Sequence, residues 1–386
     1  MAFDVNGNER ELSARELGRY SRHLLLADVG LSGQLKLKRA KVLIVGMGGL
    51  GAPISLYLAA AGVGTLGLVD FDRVERSNLQ RQILYSEADV GELKVTAAAR
   101  RLHGFNADVN LRQIPEIFTA EVAVQLVPEF DIVIDGTDNF ATRYLLNDVC
   151  VWNQKPCVHG SVFQFEGQTS VFWASQGPCY RCLFPEPPPP EAAPNCSEAG
   201  VLGVLPGQIA MFQATETIKL ILGIGQSLVG RLLRYDALSS SIYEIKIPKD
   251  PDCPVCGDAP TITEPIDYQE FCNGGKQREE AVEELSVEAY QALAKTEKPP
   301  FLVDIRRPDE WAICQIPGSH FWTMDSLDSW ADKLPPDRMI VITCRSGVRG
   351  AKTVAKLLAK GNNHVKNLKG GVLAWIEAFD PQQPGY

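Results

Sequence analysis

Twice in 386 residues an apolar strand runs straight into a short glycine-bearing turn that opens a helix. Near the front, Lys41 to Val45 leads into Gly46-Met47-Gly48-Gly49-Leu50-Gly51, and helix formers follow from Ala52 to Ala61. Near the back, Met339 to Thr343 leads into Cys344-Arg345-Ser346-Gly347-Val348-Arg349, with a helix expected over Ala351 to Lys360. A strand, turn and helix of this kind open a parallel α/β sheet. Two such openings this far apart predict two α/β domains, which the length accommodates.

The remaining elements fit that scheme. Thr65 to Val69 and Ile132 to Ile134 read as buried strands, and Val95 to Leu102, Tyr144 to Trp152 and Gln208 to Leu222 as helices. Ser161 to Trp173 alternates around Gly167, which predicts an antiparallel hairpin. The run Glu186 to Pro194 includes Pro187 to Pro190 and excludes regular structure, so it is read as a loop leading to Cys196. Asp258 to Glu284 lacks periodicity and is read as a linker between a larger domain (1–257) and a smaller α/β domain (285–386). There, Ser286 caps a helix over Ser286 to Ala294, and Phe301 to Asp304 forms a strand.

Hydrophobic residues make up 45% of the chain, enough for real cores, and the net charge of −9 argues against broad binding to nucleic acid or an anionic membrane. The apolar stretch Leu56 to Val69 is interrupted by Gly62, Gly64 and Thr65 and stops at Asp70, too short to span a bilayer. Met1 to Glu16 has no apolar signal core, so a cytoplasmic protein is expected. In that setting the ten cysteines point to metal binding and catalysis rather than disulfides.

The glycines at 46, 48 and 51 let backbone approach a phosphate or sugar, and the helix that follows favours anionic charge. Asp70 ends the next strand, where a carboxylate can bind ribose hydroxyls. These residues alone fit an NAD site equally well. Arg81 and Lys94 add positive charge suited to a triphosphate, and Asp138 can hold Mg²⁺ with water and phosphate as its other ligands. Singly, the two cations read as surface charges and Asp138 as a helix N-cap. Together they sit at strand ends of one sheet, where ligands gather.

Arg19-Tyr20-Ser21-Arg22, Gly46 to Gly51, Asp70-Phe71-Asp72, Ser77-Asn78-Leu79-Gln80-Arg81-Gln82, Lys94 and Gly136-Thr137-Asp138-Asn139 together resemble the MoeB/ThiF adenylyltransferases, over about residues 15 to 257. The resemblance implies a Rossmann-like adenylation domain. In it the C-terminal carboxylate of a ubiquitin-like carrier attacks the α-phosphate of ATP. The resemblance assigns nucleotide contacts to Gly49, Asp70, Ser77, Asn78, Leu79, Gln80, Arg81, Lys94, Asp138 and Asn139. It further implies a homodimer in which Arg22 reaches the neighbour's phosphate site.

Cys179-Tyr180-Arg181-Cys182 and Cys253-Pro254-Val255-Cys256 form two CxxC pairs. Two pairs complete a tetrahedral thiolate site for a structural Zn²⁺, whereas one pair alone can be redox-active. The MoeB-like resemblance implies the same four ligands. A closed set of four leaves no position for catalysis.

Cys344 begins a loop whose N–H groups and helix N-terminus, with Arg345 and Arg349 nearby, favour an anionic persulfide. A cysteine phosphatase needs Cys-x5-Arg, and the spacing here is Cys-x4-Arg. Val303-Asp304-Ile305-Arg306, Pro308-Asp309-Glu310-Trp311, Ile316-Pro317-Gly318-Ser319 and Gly370-Gly371-Val372-Leu373-Ala374-Trp375 resemble the rhodanese domain, and Cys344 falls on its persulfide position. Two departures stand out: Gly350 where Ser is frequent, and His320-Phe321-Trp322 in place of a small or apolar run. Cys196 lies fourteen residues beyond Cys182, the spacing of the covalent cysteine in two-domain relatives; a packing cysteine is the alternative. Cys150, Cys157, Cys272 and Cys314 are read as structural.

The whole chain thus resembles the adenylyltransferase–sulfurtransferase group of MoeZ type. That implies MgATP-dependent adenylation of a carrier ending in Gly-Gly, then sulfur transfer from Cys344 to give a thiocarboxylate for molybdopterin, thiamine, cysteine or tRNA chemistry. The sulfur comes from a cysteine desulfurase or thiosulfate, and Cys196 resolves the acyl disulfide or holds the carrier as a thioester. Two alternatives make different predictions. A dehydrogenase binds nicotinamide and catalyses no ATP–pyrophosphate exchange. A modifier activator whose rhodanese domain only docks keeps thiocarboxylate formation without Cys344.

Overall fold

A computed structural model describes residues 12–188, 200–272 and 282–383. The chain divides into two units between Gly275 and Lys276.

The first unit is built on an eight-stranded sheet of β1 (Lys41–Val45), β2 (Thr65–Val69), β3 (Asn110–Ile114), β4 (Ile132–Asp135), β5 (Cys157–Phe163), β6 (Glu166–Phe172), β7 (Arg231–Asp236) and β8 (Ser241–Lys246). The order is β3-β2-β1-β4-β5-β6-β7-β8. The first five strands are parallel and the last three join antiparallel. β1, β2 and β4 are almost wholly buried because helices cover both faces, which explains their continuous apolar sequence. Helices Gly51–Ala61 and Leu205–Leu222 line one face and Phe140–Trp152 the other. Strand order reverses at β1, and the crevice between the ends of β1 and β4 is the switch point where such sheets bind ligands.

The hairpin expected around Gly167 forms with a different turn. Phe163 pairs with Glu166, so Gln164 and Phe165 make the loop, with Gln164 at φ 51°. Gly167 lies inside β6 because a side chain there would collide with Ile209.

The stretch expected as a linker over 258–284 needs correcting at both ends. Thr261 and Ile262 donate backbone N–H bonds to Pro254, Trp152 Nε1 donates to the Ile262 carbonyl, and a helix Tyr268–Cys272 packs on helix Phe140–Trp152. Sparse apolar residues hid this: Ile262, Ile266, Tyr268 and Phe271 each fill a gap without setting a period. At the far end, Glu284 already belongs to β9 (Glu284–Leu285).

The second unit is a parallel sheet of β9, β10 (Phe301–Asp304), β11 (His320–Phe321), β12 (Ile340–Thr343) and β13 (Val365–Leu368), in the order β11-β10-β12-β13-β9. Separate apolar clusters cover its two faces. Ser286 caps helix Val287–Leu293 by accepting from Ala289 N. Among the described residues no helix is long and apolar enough to cross a membrane.

Candidate active sites

A cavity of about 310 Å³ opens at the switch point, lined by the ends of β1, β2 and β4 and the loops that follow them. Gly46 sits at φ 91°, and a Cβ on it would lie 2.7 Å from the Gly136 carbonyl, so only glycine lets the two loops approach. Gly48 and Gly49 line the cavity. Gly51 does not: it starts the helix against the Gly46 carbonyl, where any side chain would collide, and therefore serves packing.

Asp70 closes β2. Its carboxylate accepts from Met47 N and Asp72 N, both at 2.8 Å, which pins the glycine turn. Burial raises its pKa, with Lys94 acting against that. Lys94 opens helix Lys94–Phe105 with a buried side chain, its Nζ 2.7 Å from Asp72 and 4.0 Å from Asp70. Arg81 lines the cavity and donates to the Ser77 carbonyl at 3.1 Å. Asn78 lines it too, whereas Ser77, Leu79 and Gln80 do not.

Asp138 and Asn139 line the same cavity. The N-cap of helix Phe140–Trp152 is Asn139, whose Oδ1 accepts from Thr142 N at 2.9 Å. Asp138 thus does no capping; it is exposed, and its carboxylate has no hydrogen-bond partner among the described residues. One carboxylate left free beside a nucleotide-sized cleft suits Mg²⁺, which retains waters and binds phosphate oxygens.

Sequence reasoning gave Asp135 and Arg143 no role, yet they brace this loop. Asp135 accepts from Thr137 N and Oγ1 at 3.0 and 2.6 Å, from Arg143 Nε at 3.1 Å and from His159 Nδ1 at 2.8 Å. Burial alone would raise its pKa, but the Arg143 charge and the His159 hydrogen bond hold it down to about 2. Burial lowers the His159 pKa against the opposing pull of its Asp135 hydrogen bond. A buried arginine in the mostly buried helix Phe140–Trp152 was the available signal. Glu116, Ile117 and Phe118 also line the cavity. They were missed because β3, carrying Asn110, Arg112 and Gln113, shows no apolar pattern.

Arg22 lies exposed on helix Ser21–Leu24 and does not line its own chain's cavity. Cys196 lies outside the described residues.

Cys179, Cys182, Cys253 and Cys256 converge with all four sulfurs within 4.8 Å of one another. Cys179 lies 3.5 Å from Cys253 and 3.9 Å from Cys182, and Cys182 lies 3.4 Å from Cys256. A tetrahedron of thiolates at the usual zinc distance has edges of about 3.8 Å, so the set fits the ion. The fold closes the long gap between the pairs by placing both beyond the antiparallel strands.

In the second unit Cys344 follows β12, and its sulfur accepts from Gly347 N at 3.2 Å and Gly350 N at 3.3 Å. Gly347, at φ 90°, turns the loop into helix Val348–Ala359. The sulfur is cradled by backbone dipoles at a helix N-terminus, an arrangement that stabilises a thiolate or persulfide anion. Arg349, one residue into that helix, forks onto Glu310, its two terminal nitrogens 2.8 and 2.5 Å from the carboxylate oxygens. Gly350 is explained by Asn367, whose Oδ1 fills the space a side chain there would need. Asp304 and Arg306 form a wholly buried ion pair that also ties down the Cys314 carbonyl.

A nucleotide-sized cleft at a sheet switch point, joined in one chain to a thiol held in a backbone cradle, defines a two-domain α/β enzyme. The ThiF family model matches residues 20–255 and the rhodanese-like domain model residues 286–378. The chain is 44% identical over 386 residues to a probable adenylyltransferase/sulfurtransferase MoeZ of Mycobacterium tuberculosis, covering 97% of this chain and 96% of that one. It is 41% identical to the adenylyltransferase and sulfurtransferase MOCS3 of Aedes aegypti, covering 97% and 90%. Among solved structures, E. coli MccB with ATP is similar at 26% identity and a TM-score of 0.56, over 62% of this chain and 74% of that one. The chain belongs to the ThiF family, in its rhodanese-fused adenylyltransferase/sulfurtransferase branch. The dehydrogenase alternative is not favoured.

Proposed function

We propose that the first unit adenylates the C-terminal glycine of a ubiquitin-like sulfur carrier and that the second delivers sulfur to it, in the cytoplasm and as a homodimer. The carrier's carboxylate oxygen attacks the α-phosphorus of ATP, forming the acyl–phosphate bond as pyrophosphate leaves. Lys94 and Arg81 offset phosphate charge, Asp70 binds ribose hydroxyls, and Gly46 to Gly49 bring backbone against the phosphates. Asp138 would hold Mg²⁺, which when bound would supply charge neutralisation to the phosphates. Arg22 of one protomer serves the phosphate site of its partner.

Cys344, loaded as a persulfide by a sulfane donor, then attacks the acyl carbon through its terminal sulfur and expels AMP. The product is an acyl disulfide. The Cys196 thiolate attacks the Cys344 sulfur, which releases the carrier thiocarboxylate and leaves a Cys196–Cys344 disulfide for an external thiol to reduce. Direct thioester formation on Cys196 is the other route open to that residue. The thiocarboxylate supplies molybdopterin, thiamine, cysteine or tRNA sulfur chemistry.

The observation that supports the first step is that the Asp138 carboxylate, without a hydrogen-bond partner among the described residues, lines one cavity with Lys94 and Arg81. The test is carrier-dependent ATP–pyrophosphate exchange. Asp138→Ala abolishes it; Cys344→Ala spares it and removes thiocarboxylate from the carrier's mass spectrum. Normal exchange in the Asp138 variant overturns the magnesium role. An absence of pyrophosphate release with every Gly-Gly carrier overturns the adenylation.

A further inference from the structure

The two residues between the cysteines of the first CxxC pair, Tyr180 and Arg181, are both buried. Tyr180 N donates to Asn147 Oδ1 at 2.7 Å, and Arg181 forks onto Asp148 with both bonds at 2.8 Å. Asn147 and Asp148 belong to helix Phe140–Trp152, whose first turn and cap line the nucleotide cleft with Asn139, Thr142 and Arg143. The Tyr180 ring lies 5.3 Å from the His159 imidazole and meets Phe172 edge to face at 5.5 Å. Phe172 flanks the same imidazole at 5.6 Å. His159 Nδ1 is bound to Asp135, but Nε2 is buried without a hydrogen-bond partner among the described residues. A single hydrogen bond leaves an imidazole able to tilt, because its ring torsion is broad, so the flanking rings set the tilt. Asp135 in turn holds Thr137 through N and Oγ1, and Arg143 holds the Thr137 carbonyl at 3.1 Å, which fixes the backbone entering Asp138.

We infer that Tyr180, held between Cys179 and Cys182, sets the pose of His159 and through it the Asp135–Asn139 loop, and so tunes how tightly the cleft holds MgATP. This rests on the nucleotide site proposed above. Neither Tyr180 nor His159 lines the cavity, so both are positioning residues. The path is short and continuous: ring against imidazole, imidazole on carboxylate, carboxylate on the N–H of the loop. Displacing a positioned group by about 1 Å costs one to two orders of magnitude in function. Loss of the Tyr180 ring should therefore weaken MgATP binding about tenfold.

The test measures the dissociation constant of MgATP by titration calorimetry on the full-length, zinc-loaded protein with no carrier present. Tyr180→Leu removes the ring and raises the constant about tenfold. Tyr180→Phe keeps the ring and retains the wild-type value. Phe184 lies 5.0 Å from Tyr180 and has no ring contact with His159 among the described residues. Phe184→Leu therefore lowers the melting temperature by thinning the same aromatic cluster but leaves the constant unchanged. A wild-type constant in Tyr180→Leu overturns the proposal, as does an equal rise in Phe184→Leu or Tyr180→Phe. Where Tyr180→Leu does not fold, Phe172→Leu loosens the imidazole from its other flank and should show the same rise; a wild-type constant there overturns the proposal as well. A wild-type chain that binds MgATP but exchanges no pyrophosphate with any Gly-Gly carrier puts the failure in the adenylation reading, and the comparison of binding constants still decides the role of Tyr180.

Discussion

Arg349 lays both terminal nitrogens on the carboxylate of Glu310. The Cys344 sulfur is met by the Gly347 and Gly350 N–H groups at the start of the helix that carries Arg349. The fork joins helix Pro308–Ile313 to helix Val348–Ala359, and burial of Glu310 is outweighed by Arg349, which keeps the carboxyl below its usual range.

Glu310→Ala strands that guanidinium half-buried. The second unit should lose on the order of 2 kcal/mol in urea unfolding, while thiosulfate sulfurtransferase activity at saturating substrate falls only severalfold. A complete loss of activity with full stability would instead put Arg349 on the substrate.

Gly350→Ser restores the residue frequent at this position in rhodanese domains, but its side chain would meet Asn367 Oδ1. The expected cost is about 1–3 kcal/mol, with slower sulfur transfer, because Gly350 N must still point at the sulfur. Adding Asn367→Ala should recover part of both, read as a coupling energy in a double-mutant cycle.

Asp135 links protonation to stability. Its folded pKa of about 2 lies below the unfolded value of about 3.9, so its stabilisation is complete above pH 3.9 and disappears as pH falls toward 2. The amount is about 2–3 kcal/mol. Chemical unfolding of the first unit between pH 4 and 2 should have a shallower pH slope in Asp135→Asn than in wild type.

Lys94→Ala removes the buried ammonium and leaves the Asp70 and Asp72 carboxylates in the cavity without their partner. Carrier-dependent exchange should fall about 10²- to 10³-fold, with a lowered melting temperature because Asp70 is left buried and unpaired.

If Zn²⁺ bridges the four cysteines, a strong chelator should free the two CxxC pairs from one another. Melting of the first unit should drop by on the order of 10 °C and recover on adding one equivalent of Zn²⁺. An unchanged melting curve after verified metal loss would show that packing alone holds the knuckle.

Both sheet openings, the two CxxC pairs and the strand-to-helix loop that holds Cys344 were legible in the sequence because each depends on local order. An apolar strand buried on both faces has to be continuous, a phosphate turn has to lack side chains, and thiolate pairs have to be closely spaced. Gly46, Cys179 and Cys344 carry such signatures wherever they occur. Partnership between distant residues has no local signature. Only the folded chain decided that Asn139 and not Asp138 caps its helix, that Arg143 and His159 converge on Asp135, and that Arg349 serves Glu310. It also decided that residues around Tyr268 belong to the first unit. Buried charges find their counterions across elements, and that choice is made by packing geometry after the strands have paired.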